Sequence, residues 1–321
     1  MSETELSTLN EADLAEAELH LVTIRDFIRF AVSCFRLHDV HLGHGSSDPF
    51  AEATALVMQT IGLEWSADEE ILDAKLLPSE RRAVIDLIRR RVNERIPLAY
   101  LLNLAYFAGL PFYVDERVLV PRSPLAELIA DGFSAWFSEP PQRVLDLCTG
   151  SAWIAIAIAK AFPDTLVDAT DISIDALSVA SINVEHHDVI EEVGLIESDL
   201  FSKLPGQRYD LIISNPPYVD AQDMADLPPE FLHEPELGLA SGRDGLDITR
   251  RILADAADYL TENGVLIVEV GNSWWALEHA FPEVPFLWVE FESEAQGVFV
   301  LTAAQCREFQ AIFQAAVASL H

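Results

Sequence analysis

Tyr209-Asp210-Leu211-Ile212-Ile213-Ser214-Asn215-Pro216-Pro217-Tyr218 decides how the chain is read. The first six residues are a short, mostly apolar run, the pattern of a strand buried in a sheet. The last four end it abruptly. Each proline fixes its own φ, and Pro217 biases Pro216 toward extended backbone. Asn215 is therefore presented on a stiff turn at a strand's end. Its amide oxygen and the Pro216 carbonyl are two acceptors able to point the same way, which suits a planar NH2 group with two hydrogens to donate. Tyr218 adds a flat face to pack against that group. A proline-rich turn with no ligand is the alternative for these four residues taken alone.

Around this run, strand and helix alternate. Residues 144–147 read as a first strand followed by a helix over 151–162. Residues 166–171 read as a second strand followed by a helix over 174–187. The third strand is 193–197, and the quoted run is the fourth. A helix over 249–260, closed by Asn263-Gly264, leads to a fifth strand at 265–270 and a helix at 274–281. The last two runs, 286–292 and 297–302, are too close for a parallel crossover of about a dozen residues, so they pair antiparallel. The alternation predicts a seven-stranded, mostly parallel α/β sheet with helices on both faces.

The strand ends carry the chemistry. Asp146 leads into Cys148-Thr149-Gly150-Ser151, a small-residue turn that lets a ligand approach the backbone at the sheet's carboxyl edge. Asp171 ends the second strand, where an acid can accept from both hydroxyls of a ribose. Asp199 follows the third, placed to hold an adenine amino group, with Leu200 and Phe201 as flat apolar neighbours. Asn215 ends the fourth. One such aspartate is equally well a helix cap. Four polar ends on one edge describe a nucleoside-like pocket beside the platform. G-x-G-x-x-G and Walker patterns are absent, which disfavours a dinucleotide or ATP.

Upstream, residues 1–97 read as a small helical domain, 98–122 as a β-hairpin-like connector with short strands including 118–120, and 123–321 as the α/β domain. Apolar residues three and four apart predict a helix over 20–36. Further helices are expected at 49–61 and from Ser79, a candidate N-cap, to Pro97. Residues before about 18 lack an apolar stripe and read as a frayed start. His41 and His44 sit in a loop with no third ligand to complete a metal site. Arg89-Arg90-Arg91 reads as one solvated helix face.

The 321 residues are 50% hydrophobic, and mean hydropathy is +0.19. No apolar run is long enough to span a bilayer, and the acidic start is unlike a targeting peptide. Cys34, Cys148 and Cys306 are scattered and odd in number, which fits reduced thiols in the cytoplasm. Net charge is −33. Such a surface repels nucleic acid and attracts a basic partner; solubility or a salty habitat explains the same acidity.

Asn215-Pro216-Pro217-Tyr218 together with the four strand ends resembles the class I S-adenosylmethionine-dependent methyltransferases. The tetrapeptide is similar to the signature shared by DNA adenine methyltransferases and by protein glutamine methyltransferases of the HemK/PrmC–PrmB group. Pro97-x-Ala99-Tyr100-Leu101, Phe107-x-Gly109, Phe112-x-Val114, Val118-Leu119-Val120-Pro121-Arg122, His233-Glu234-Pro235, Leu239-Ala240 and Gly242-x-Asp244-Gly245-Leu246 are similar to the glutamine group. Pro121-Arg122-Ser123-Pro124-Leu125-Ala126-Glu127, Tyr113-Val114-Asp115-Glu116-Arg117 and Leu42-Gly43-His44-Gly45 look like its PrmB-type branch.

The resemblance implies a class I methyltransferase sheet with an antiparallel last strand and an N-terminal helical substrate-recognition domain. It implies transfer of a methyl group from S-adenosylmethionine to the side-chain amide nitrogen of a glutamine. That glutamine would lie in the basic ribosomal protein uL3, before its assembly, with neither DNA nor membrane as partner and no metal. Cofactor contacts fall to Asp146, Cys148, Thr149, Gly150, Ser151, Ala152, Asp171, Asp199, Leu200 and Asn215. The catalytic platform is Asn215, Pro216, Pro217 and Tyr218; none of the nine histidines occupies a catalytic motif position. The family's loop continues Gly-Ser-Gly where this chain has Gly150-Ser151-Ala152. The Ala152 methyl is expected either to crowd the methionine end of the cofactor or to be absorbed at negative φ, and Trp153 is bulky beside it. A release-factor glutamine methyltransferase, a DNA adenine methyltransferase and a binding protein that has lost catalysis are the competing readings.

Overall fold

The computed structural model describes residues 8–64, 68–204 and 206–318, which form two compact units. One contains the described residues up to Ala105 together with Pro228–His233. The other contains Tyr106–Leu227 and the described residues from Glu234 onward.

The first unit is helical: α1 (Glu11–His20), α2 (Ile24–Leu37), α3 (Pro49–Thr60), α4 (Pro78–Asn93) and α5 (Leu98–Leu102). Phe27, Phe35, Leu56, Val84 and Ile88 sit in its core. The helix expected over 20–36 is interrupted, because Thr23 opens α2 with a capping box. Its hydroxyl accepts from Asp26 N–H (3.2 Å), and the Asp26 carboxylate accepts from Thr23 N–H (2.8 Å). From residue 8 on, the start is not frayed: Asn10 caps α1, and Leu14 and Ala17 are buried; residues 1–7 lie outside the described residues. Ser79 is not a cap, since α4 opens at Pro78 and the Glu80 carboxylate takes Leu77 N–H at 2.7 Å.

The arginine run also reads differently in three dimensions. Arg89 and Arg90 stay outside with Glu94. Arg91, three residues after Ile88 on the inward stripe, is 1% exposed and pairs with Glu52 at 2.7 Å and Glu230 at 3.5 Å. His41 and His44 lie in a loop as expected, with both rings against Phe231. Among the described residues no three metal-ligating side chains gather.

Strands β1 (Ala105–Phe107) and β2 (Leu110–Phe112) form a hairpin; 118–120, expected as strand, is irregular. The large sheet comprises β3 (Arg143–Leu147), β4 (Leu166–Asp171), β5 (Val193–Glu197), β6 (Tyr209–Ser214), β7 (Leu260–Glu269), β8 (Leu287–Trp288) and β9 (Val298–Thr302). Its order is β5-β4-β3-β6-β7-β9-β8, parallel except where β9 pairs antiparallel with β7 and β8. This is the class I methyltransferase sheet.

The helices of this unit are α6 (Leu125–Ala130), α7 (Trp153–Ala161), α8 (Ile174–His186), α9 (Ala221–Ala225), α10 (Asp247–Tyr259), α11 (Trp274–Ala280) and α12 (Ala303–Ala318). Asn263-Gly264 does not close a helix. The strand already begins at Leu260, and the pair lies within it opposite an irregularity in β6. A Cβ at Gly264 would meet the Tyr209 carbonyl oxygen at 2.9 Å, so the irregular pairing needs glycine. Among the described residues, no helix is long and apolar enough to cross a membrane.

Candidate active site

The sheet reverses its winding between β3 and β6. Parallel pairing sets Leu147 against Ser214, and the Ser214 hydroxyl donates to the Leu147 carbonyl at 2.7 Å. Cys148 and Asn215, the next residue of each strand, therefore leave the carboxyl edge side by side. A crevice at such a switch point is where open α/β sheets bind ligands.

The loop after β3 is shaped by its backbone. Cys148, Gly150 and Ala152 have φ of 60°, 56° and 63°, so every second residue is left-handed. Asp146 holds the turn from beneath: it is fully buried and accepts from the Thr149 hydroxyl at 2.5 Å. Burial pushes its carboxyl up to about 7. Asp171 holds the turn from the side. One oxygen accepts from Gly150 N–H and the other from Ser173 N–H, both at 2.9 Å, and burial raises its pKa. Asn183 on α8 fixes the far end, donating to the carbonyls of Ser151 and Tyr113 at 3.0 Å and accepting from Tyr113 N–H at 2.7 Å.

One sequence expectation for Ala152 is not met: its φ is positive, so the methyl is not absorbed at negative φ. The residue is wholly buried at the start of α7 and is not part of the pocket lining. Trp153 is accommodated by a T-shaped contact with Phe107, 4.5 Å between centroids, and lines the pocket.

Past β5, Asp199 accepts from the Arg251 guanidinium at 2.8 Å, and both residues line the pocket with Leu200. Leu200 has φ 48°. The chain turns there, and Phe201 stacks on Tyr259 in the core at 4.5 Å rather than flanking the pocket as expected.

At the platform, Asn215 is 8% exposed and lines the pocket, and its amide nitrogen has no partner among the described residues. Pro216 is buried, and Pro217 lines the pocket. The Tyr218 phenol donates to Glu269 at 3.1 Å, and burial raises its pKa. Glu269, buried at the end of β7, also accepts from the Ser123 hydroxyl at 2.5 Å; burial pushes its carboxyl up to about 7. The motif segments 118–122 and 233–235 meet directly. Arg122 makes a two-pronged bond to Glu234, 2.6 Å on each arm, and Glu234 also takes Val120 N–H at 3.0 Å.

One pocket thus gathers Cys148, Gly150, Asp171, Asp199, Leu200, Asn215 and Pro217. Asp146, Thr149, Ser151 and Ala152 lie buried behind its loop; Pro216, buried, and Tyr218, half-buried, are not part of its lining. Sequence reasoning missed Asn183, Arg251, Ser123 and Glu269. Asn183 gave a signal as a polar residue within a helix pattern, and Glu269 as an acid ending an apolar strand. Ser123 lay within the quoted 121–127 motif without a role assigned to it, and Arg251 gave no signal.

The family described as Methyltransferase small domain matches residues 133–242. The chain is 49% identical over 292 residues to the ribosomal protein uL3 glutamine methyltransferase of Neisseria gonorrhoeae, covering 90% of this chain and 97% of that one. It is 45% identical over 297 residues to the protein of the same name from Francisella tularensis, covering 92% and 95%. Among solved structures, the hMettl16 catalytic domain in complex with MAT2A 3'UTR hairpin 6 aligns with a TM-score of 0.49 at 16% identity, over 70% of this chain and 81% of that one.

Proposed function

The chain belongs to the ribosomal protein uL3 glutamine methyltransferases, and on that premise we propose that it methylates the side-chain amide nitrogen of a glutamine in ribosomal protein uL3, using S-adenosylmethionine. The observation that carries the reading is Asn215: a nine-tenths buried amide on a proline-stiffened strand end, in the same pocket as Asp171 and Asp199. The residues present fit the cofactor. Asp171 offers carboxylate oxygens for a ribose, Asp199 and Leu200 an edge and a face for adenine, and the left-handed backbone of Cys148 and Gly150 a close approach. The orphan nitrogen of Asn215 marks a polar ligand position.

S-adenosylmethionine supplies, when bound, a methyl group on a sulfonium centre. The rest falls to the chain. A glutamine amide is a weak nucleophile because its lone pair is delocalised. The Asn215 side-chain oxygen and the Pro216 carbonyl accept its two hydrogens, orient the nitrogen and stabilise the positive charge that grows on it. Tyr218 packs over the amide plane. No side chain need remove the proton in the transition state; it leaves to water afterwards. The helical unit is assigned recognition of the substrate protein, which is basic, taken before ribosome assembly and met in the cytoplasm.

The test is mass spectrometry after mixing the protein, S-adenosylmethionine, free uL3 and a release factor. The expected product is uL3 carrying one added methyl on a glutamine. Methylation of the release factor alone would keep the chemistry and replace the substrate; no transfer to either would overturn the proposal.

A further inference from the structure

Tyr218 is held on more sides than a turn residue requires. Its carbonyl accepts from the Ser273 hydroxyl at 2.9 Å. A Cβ at Gly245 would stand 2.2 Å from that carbonyl oxygen, and one at Gly271 would meet the ring's Cε2 at 2.5 Å. Both glycines have positive φ, 75° and 45°, so backbone and space select glycine together. The phenol points at Glu269.

Glu269 is hard to explain as a stabilising residue. The β6–β7 register sets Ser214 beside Val268, so Glu269 leaves the sheet edge next to Asn215. It is buried, and its hydrogen-bond donors among the described residues are two neutral hydroxyls, those of Tyr218 and Ser123. Burying a carboxylate without a hydrogen-bonded cation costs more than two neutral donors return, and an apolar side chain of similar volume would suit the core better. What the acid does provide is direction. Each of its two oxygens accepts from one hydroxyl, so both hydroxyls turn toward it. The Tyr218 hydrogen is then committed away from the platform, where it would compete for the acceptors meant for the substrate amide.

We infer that Glu269, backed by Ser123, is a positioning residue that fixes the Tyr218 ring beside Asn215 and so sets the orientation in which the platform receives its amide. The inference rests on the methyltransferase reading above and adds a residue pair to it.

The experiment compares steady-state methylation of uL3 by wild type, E269L, E269Q, S123A, Y218F and Y218F/E269L, with cofactor affinity by calorimetry and thermal midpoint measured on each. E269L keeps the volume and removes the direction. It is expected to hold or raise the midpoint, leave cofactor affinity within roughly twofold, and lower kcat roughly tenfold or more. E269Q, which still accepts from the phenol, should restore most of kcat. S123A should fall between, and the double variant should be no slower than the slower single one. A wild-type kcat in E269L overturns the inference. So does a loss shared equally by E269Q, or one that tracks the midpoint. The wild-type rate separates the two claims: a dead wild type fails the functional reading, and a live wild type with a live E269L fails this one.

Discussion

Two residues carry opposite kinds of constraint. The proposed reaction gives Asn215 a chemical one, and its buried amide nitrogen is unmatched among the described residues. N215A removes one of two acceptors for the substrate amide, and loss of one preorganised partner typically costs about 100-fold or more in kcat. Cofactor affinity should change by less than about threefold, because Asp171 and Asp199 do not depend on Asn215. Kinetics beside calorimetry separate the two, and an equal loss in both would move Asn215 from catalysis to cofactor binding. Ala152 is constrained by backbone. A left-handed alanine costs about 1 kcal/mol or more, but its methyl is wholly buried, worth about 0.8 kcal/mol. A152G should therefore change the unfolding free energy from urea titration by less than about 1 kcal/mol. A152V places a branched side chain in the same conformation and should cost more than about 2 kcal/mol. Equal midpoints for the two variants would show that the turn relaxes freely.

At the scale of elements, strand ends and one helix face carry the testable energetics. Asp146 and Glu269 close β3 and β7, and burial pushes both carboxyls up to about 7. The unfolded carboxyls titrate near 4. Between about 4 and about 7 the folded chain thus binds more protons than the unfolded, so these groups lower stability as pH rises through that window. Thermal midpoints should fall less steeply between pH 5 and pH 7 (roughly the window those values define) in D146N than in wild type; parallel curves would assign the slope elsewhere. On α4, R91A strands the buried Glu52 and removes one of the two arginines beside Glu230, and should cost about 3 kcal/mol or more, whereas R90A, at the surface, should cost less than about 0.5 kcal/mol. Similar losses would return Arg91 to the solvated face. The contrast shows what was legible. Alternation of apolar runs located the parallel strands, because a buried strand tolerates little polarity. The antiparallel end followed from a loop too short to cross over. Arg91 was illegible, since charge alone places an arginine outside, and the glutamates it pairs with, Glu52 and Glu230, lie on other segments of the chain. The break at Thr23 lay in a capping box, but apolar spacing ran through it. Strand-end acids were legible as a group, while Arg251, which holds Asp199, Asn183, which holds the loop after β3, and Glu269, which holds Tyr218, act through contacts that sequence spacing does not encode.

The whole molecule carries 53 acidic against 20 basic residues, a net charge of −33. The pocket does not need that charge, because its acids are few and mostly occupied by backbone or arginine donors. Two causes leave different traces. If the surface steers a basic protein substrate, encounter gains from long-range attraction that salt screens. Raising ionic strength from about 0.1 M to about 1 M shortens the screening length from about 10 Å to about 3 Å. The expected result is a roughly tenfold or greater fall in kcat/KM for the full-length substrate, with kcat at saturation nearly unchanged, because salt acts on encounter and the desolvated platform is shielded from it. A short neutral glutamine peptide should show almost no salt dependence on the same enzyme. If the acidity serves solubility in a salty interior, kcat/KM for the full-length substrate should hold or rise with salt, together with the thermal midpoint, as repulsion between like charges is screened. The peptide control makes the assignment, since only steering separates the two substrates: a fall confined to the basic protein places the charge in recognition, and parallel curves place it in stability.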